Sequence, residues 1–164
     1  MTAKPVFLKA EERCLDGPLN ILGDGLIVKL GAKSGPMTVM LSITPPKVGP
    51  PLHRHSREDE AFFVIEGEYL FEADGKQTRG GPGSFVFLPR GTAHAFQNVG
   101  DTPAKMLIMA QPAGIEDFFG EIDRATRDKT EVDMKLLLPI FAKHGMEFLG
   151  PPIGTRNGQE SPRP

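Results

Sequence analysis

Three of the four histidines in this 164-residue chain are spaced as metal ligands are. His53 and His55 are separated by one residue. On an extended strand such positions project to the same face, so both imidazoles reach one point. Glu60 follows five residues after His55, beyond the polar run Ser56-Arg57-Glu58-Asp59, which reads as a bend between strands. His94 lies far downstream, just past the turn Pro89-Arg90-Gly91. Three imidazoles and one carboxylate suit a single divalent transition metal ion: Fe, Mn, Ni, Cu, Co or Zn. Ligand type alone does not choose among these.

The elements that must position this cluster read as short strands. Leu26–Leu30 and Val39–Ile43 are apolar runs bounded by Gly23-Asp24-Gly25, Ser34-Gly35-Pro36 and Thr44-Pro45-Pro46. The stretch Pro45 to Pro51 cannot be a central strand, because proline supplies no ladder donor; it is an ordered loop leading into His53. Ala61–Ile65, Tyr69–Glu72, Ser84–Leu88, Ala93–Val99 and Lys105–Met109 follow, and Asp74-Gly75 is a two-residue hairpin signal. Strands at this spacing predict an all-β sandwich or barrel. The runs AFFVI and SFVFL are apolar on both faces, so their outer face needs a helix or a second subunit over it.

After Gln111-Pro112 the period becomes helical. Ile115, Phe118, Phe119 and Ile122 form one apolar stripe, with Glu116, Asp117, Glu121 and Asp123 between them. A second helical pattern runs from Glu131 to His144, with Asp133 as its cap, Pro139 as a kink or delay and Gly145 just past its end. Met146–Phe148 reads as an edge strand.

Two segments carry a family resemblance. His53-x-His55-x4-Glu60-x6-Gly67 resembles the first cupin motif, and Gly83-x5-Pro89-x-Gly91-x2-His94-x3-Asn98 matches the second at every position. One position departs: Lys47 stands where the family pattern has a glycine, six residues before His53. The resemblance covers about residues 40 to 110. It implies a cupin-type double-stranded β-helix, or jelly-roll barrel, with C-terminal helices and a metal held inside by His53, His55, Glu60 and His94. The domain layout expected is a single domain over residues 1–164. Its barrel core spans about 25–112, its helical segment about 113–145 and a mobile tail about 150–164.

The remaining residues read as support. Phe62, Val64 and Phe96 share the interior face with the ligands, and Asn98 ties down a loop. Glu58 and Asp59, flanked by Arg54 and Arg57, read as a solvated bend rather than a second catalytic pair. His144 sits at a helix end, where a cation is favourable. Cys14, the only cysteine, excludes an intramolecular disulfide and any Cys-rich zinc module.

Composition narrows the function class. With 19 Lys and Arg against 21 Asp and Glu, the chain has no electrostatic footprint for nucleic acid or an anionic membrane. No apolar run is long enough to span a bilayer and no signal core is visible, so a cytoplasmic protein is expected. The chain's layout, with FFGEI in a helix and the later HGMEFLGPP, resembles bacterial cupins grouped with quercetin dioxygenases. That resemblance implies a metal-dependent dioxygenase acting on a small phenolic or enolic compound. Glu60 is then the catalytic residue, because a carboxylate ligand can also take a proton from a substrate hydroxyl. A non-redox cupin enzyme, of the sugar isomerase or keto-acid decarboxylase kind, and a small-molecule-binding cupin without turnover stand as alternatives. A homodimer is expected from the two-sided apolar strands.

Overall fold

Alternation of inward and outward side chains builds two antiparallel sheets in the computed structural model, which describes residues 4–15, 17–129 and 132–156. The first strands are β1 (Leu19–Ile21), β2 (Asp24–Leu30), β3 (Thr38–Thr44), β4 (Pro51–His55), β5 (Asp59–Glu66) and β6 (Tyr69–Ala73). Then come β7 (Lys76–Gly80), β8 (Phe85–Leu88), β9 (His94–Asn98) and β10 (Ala104–Gln111). Two helices, α1 (Ile115–Thr126) and α2 (Met134–Lys143), precede β11 (Met146–Pro152) and the short α3 (Ile153–Arg156). One sheet has the order β1-β2-β3-β10-β5-β8 and the other β11-β4-β9-β6-β7, a mainly-β jelly-roll sandwich.

The strands behave as their periodicity requires. In β10, Ala104, Met106, Ile108 and Ala110 turn inward and are buried, while the residues between them are only partly so. Met40 of β3, Phe62 and Val64 of β5 and Tyr69 of β6 join them in one core. Asp74 and Gly75 both take positive φ, 46° and 78°, and close the β6–β7 hairpin with Ala73 opposite Lys76.

The loop before β4 carries Lys47 where the family pattern has a glycine. Lys47 itself adopts a left-handed φ of 66°. That strain is offset by contacts: its N–H donates to the Asn98 carbonyl at 2.9 Å, and its ammonium donates to the Val99 carbonyl at 2.7 Å. Two residues on, a Cβ at Gly49 would sit 1.9 Å from the Phe96 carbonyl oxygen, so this close approach to β9 requires glycine.

The helices form where the period changes, with two departures. Glu116 and Asp123 do not face solvent; both are buried. Glu116 accepts from the Ala32 and Gly114 N–H groups and from Thr38, and Asp123 accepts from the Asn20 N–H at 2.9 Å and from Arg127. These carboxylates pin α1 to β1 and to the loop after β2. The second helix starts at Met134, with the Asp133 carboxylate accepting from the Lys135 N–H at 2.9 Å. Pro139 therefore lies inside it rather than delaying it, and residues 130 and 131 lie outside the described residues.

The expectation of a mobile tail from Gly150 is corrected for residues 150–156. Gly150 pairs with Leu52 and Pro152 with Pro51, extending the strand begun at Met146, and Ile153 is fully buried. Residues 157–164 lie outside the described residues. Among the described residues no helix is long and apolar enough to cross a membrane.

Candidate metal centre

The cluster is drawn from both sheets. His53 and His55 lie on β4, His94 opens β9, and Glu60 faces them from β5 in the opposite sheet. His53 sits directly opposite His94 in the one register pair joining β4 to β9. One ligand atom from each of the four residues lies within 4.8 Å of the others. His55, Glu60 and His94 are buried and His53 is half-buried.

Backbone carbonyls set the tautomers. Nδ1 of His53 donates to the Pro51 carbonyl at 2.8 Å, and Nδ1 of His94 donates to the Thr92 carbonyl at 2.9 Å. In the neutral rings this leaves Nε2 as a lone pair. Yet His94 Nε2 lies 3.0 Å from Glu60 Oε2, acceptor facing acceptor. Only a cation between them, a proton or a metal ion, makes that approach favourable. His55 gives a second indication. Both of its buried ring nitrogens lack a hydrogen-bond partner among the described residues, with Nε2 3.8 Å from Glu60 Oε2. Orphaned buried nitrogens are costly unless something coordinates them. The donor set therefore fits a divalent transition ion.

The protonation balance agrees. Burial, reinforced by the neighbouring His94 and His55, holds the His53 imidazole well below its ordinary pKa and keeps its lone pair free. Burial pushes the Glu60 carboxyl up, but the charge of His55 and the hydrogen bond and charge of His94 outweigh it, so Glu60 is held below the usual carboxylate range. Burial lowers His94, and the hydrogen bond and charge of Glu60 more than reverse that.

The other residues singled out from sequence fall as follows. Asn98 is a loop tie: its amide donates to the Thr44 and Thr102 carbonyls at 2.9 and 2.8 Å. Asp59 is held by Arg90, whose guanidinium keeps its carboxyl down at about 2. Glu58 corrects the reading of a solvated bend. It is buried, and its Oε2 lies 3.6 Å from His55 Nδ1, placing a carboxylate behind a ligand ring.

The cluster opens into an apolar cavity of about 60 Å³ lined by His53 and Glu60 from the sheets and by Phe118, Phe119, Ile122 and Phe141 from the helices. Asp24 lines the same cavity, and nothing in its local sequence except its parity with Leu26 and Val28 marks it as interior. Burial, only partly offset by Ser42 and Thr44, pushes its carboxyl up to about 6 from 3.8. A raised carboxyl binds its proton more tightly in the folded state. Stability from this group is therefore lost as pH climbs from about 4 through 6, and is constant above that. Asp24→Asn removes the effect. Its stability relative to wild type is expected to rise by about 2 kcal/mol between pH 4 and pH 7, read from urea unfolding at both values. A pH-independent difference would refute the assignment.

Fold and cluster together define the class: a jelly-roll sandwich with a potential metal-binding His/Glu centre between its sheets. The model of the Cupin domain family matches residues 40–110, which contain all four cluster residues. Residues 40–110 therefore match the cupin family, and the fold agrees with that match. Polyketide synthase CurC of Streptomyces cyaneus is 30% identical over 96 residues, covering 58% of this chain and 61% of that protein. An oxalate-binding protein of Thermotoga maritima is 32% identical over 63 residues, covering 38% of this chain and 52% of the relative. Among solved structures, an RmlC-like cupin from Shewanella frigidimarina superposes with a TM-score of 0.59 at 20% identity, covering 72% of this chain and 99% of that one. The chain spans about half the length of the curated relatives it matches.

Proposed function

We propose that the protein is a metal-dependent dioxygenase acting on a small enolic or phenolic compound. The observation that carries this reading is the cluster's position on the wall of a small apolar cavity, with Glu60 held ionised beside His94. A bound divalent metal would supply Lewis acidity there and, when redox-active, access to dioxygen. The chain's own residues do the rest. Pro51 and Thr92 orient the His53 and His94 rings, and the helix phenylalanines exclude water. Glu60 Oε2 accepts the hydroxyl proton of the substrate. The likeness to a polyketide synthase protein supports a substrate of enolic or phenolic character.

The test is metal analysis of untagged protein together with oxygen uptake on a panel of small enols and phenols. Fe, Mn, Ni or Cu with oxygen consumption supports the reading; zinc with none on any compound sinks it. A second reading, a binding cupin without turnover, draws on the smallness of the cavity and on the oxalate-binding relative. Saturable binding without consumption of ligand or oxygen would favour it.

The proposed assembly is a homodimer. Phe63, Ile65, Phe85 and Phe87 are 40%, 43%, 61% and 58% exposed on one outer face of β5 and β8. β8 is also the free edge of its sheet, so two copies of this edge offer each other backbone pairing and a matching apolar surface. The double variant Phe85→Glu, Phe87→Glu is expected to scatter light as a monomer where wild type scatters as a dimer. A wild-type monomer at high concentration would refute the assembly.

A further inference from the structure

We propose that Asp24 is a specificity-determining residue: it binds a distal hydroxyl of a short substrate whose other end sits at the metal cluster. The inference rests on the metal-site reading above and narrows its substrate class.

The cavity has two polar poles. His53 and Glu60 form one, and Asp24 is another, while Leu26, Phe62, Phe96 and Ile108 lie among the walls. Asp24 occupies a position where the strand pattern calls for an apolar residue, because Leu26 and Val28 follow it inward on β2. It is fixed there by a line of hydroxyls. Tyr69 donates to Thr44 Oγ1 at 3.1 Å, and the Thr44 and Ser42 hydroxyls meet at 2.8 Å. Ser42 lies 2.9 Å from Asp24 Oδ1 and 3.1 Å from Oδ2. Ser42 has one proton and gives it to Asp24, so Thr44 is the donor between the two hydroxyls. All three protons therefore run toward the carboxylate.

This line satisfies the hydroxyls but not the acid. A carboxylate has roughly four acceptor sites, and Ser42 supplies one proton. The Thr44 hydroxyl is the next nearest donor, and beyond these two the carboxylate has no protein partner among the described residues. A core needing only stability is better served by an apolar side chain at this position. A held carboxylate with unspent acceptor capacity in an apolar cavity is what recognises one hydroxyl and discriminates against the analogue lacking it. The cavity's volume of about 60 Å³ favours a compound of a few heavy atoms.

The probe is a series of aliphatic hydroxamates of two, three and four carbons, each with and without a terminal hydroxyl. Their binding is read from the visible absorption of the Co(II)-loaded protein. In wild type, one chain length is expected to favour the hydroxylated member by 10- to 100-fold over its parent. In Asp24→Ala this ratio is expected to fall to about one, and in Ser42→Ala to fall partway. Asp24→Asn keeps the side-chain volume should the alanine variant not fold, and there the ratio is expected to drop about tenfold. Response to the parents with no hydroxyl preference at any length would overturn this inference alone, as would a preference undiminished in the Asp24 variants. No response to any parent would overturn the metal-site reading and this inference with it.

Discussion

His94→Ala is expected to weaken divalent-metal binding by about 100-fold or more, while leaving the sandwich folded. The ring supplies Nε2 to the cluster and is held by the Thr92 carbonyl, so no neighbouring side chain takes its place. The core does not depend on it, because Met40, Val64, Tyr69 and Met106 are fully buried in the sheets without touching the metal chemistry. Elemental analysis after dialysis reads the loss. Thermal unfolding with and without chelator provides the second measure: chelation should lower the wild-type midpoint and leave that of the variant unmoved. Full metal occupancy in the variant would refute the site.

Glu60→Gln separates ligation from base chemistry. The amide oxygen can still face the ion, so metal is expected to be retained at reduced affinity. Turnover at saturating metal is expected to drop by about 1000-fold, because the amide cannot accept the substrate proton. Metal content measured on the same samples keeps the two effects apart. A rate within threefold of wild type, at equal occupancy, would remove Glu60 as the base.

The three histidines of the cluster were legible because each obeys a local rule. His53 and His55 share a face by strand parity, and the turn before His94 delivers it to the pocket. Glu60 could be placed on the same point only through the family motif, since it comes from the other sheet. Glu58 was not legible: its polar neighbours hide a side chain that folds back under His55. Asp24 and Glu116 share that problem in different settings, as buried acids whose partners, Ser42 and Thr38, are distant in sequence. The final strand was only half visible. Gly150 and the prolines after it read as a tail, and their pairing with β4 rests on contacts no local pattern contains. Sequence also required something to cover Phe63 and Phe85. The helices instead pack against β1 and β11, and that face stays open.

The partners of β4 bear on when the site is built. Its link to β9 is the single pair His53–His94, whereas β11 pairs with it from Met146 at His55 to Pro152 at Pro51. Beyond that pair and the Gly91 N–H donating to the His55 carbonyl at 2.7 Å, the strand that carries His53 and His55 depends on a segment about ninety residues later for its other neighbour. Loop closure over that distance is slow compared with local hairpins. The placement of His53 and His55, two members of the cluster, therefore depends on contacts made far along the chain, and a change that unpairs β11 would disturb the cluster before it disturbed the core.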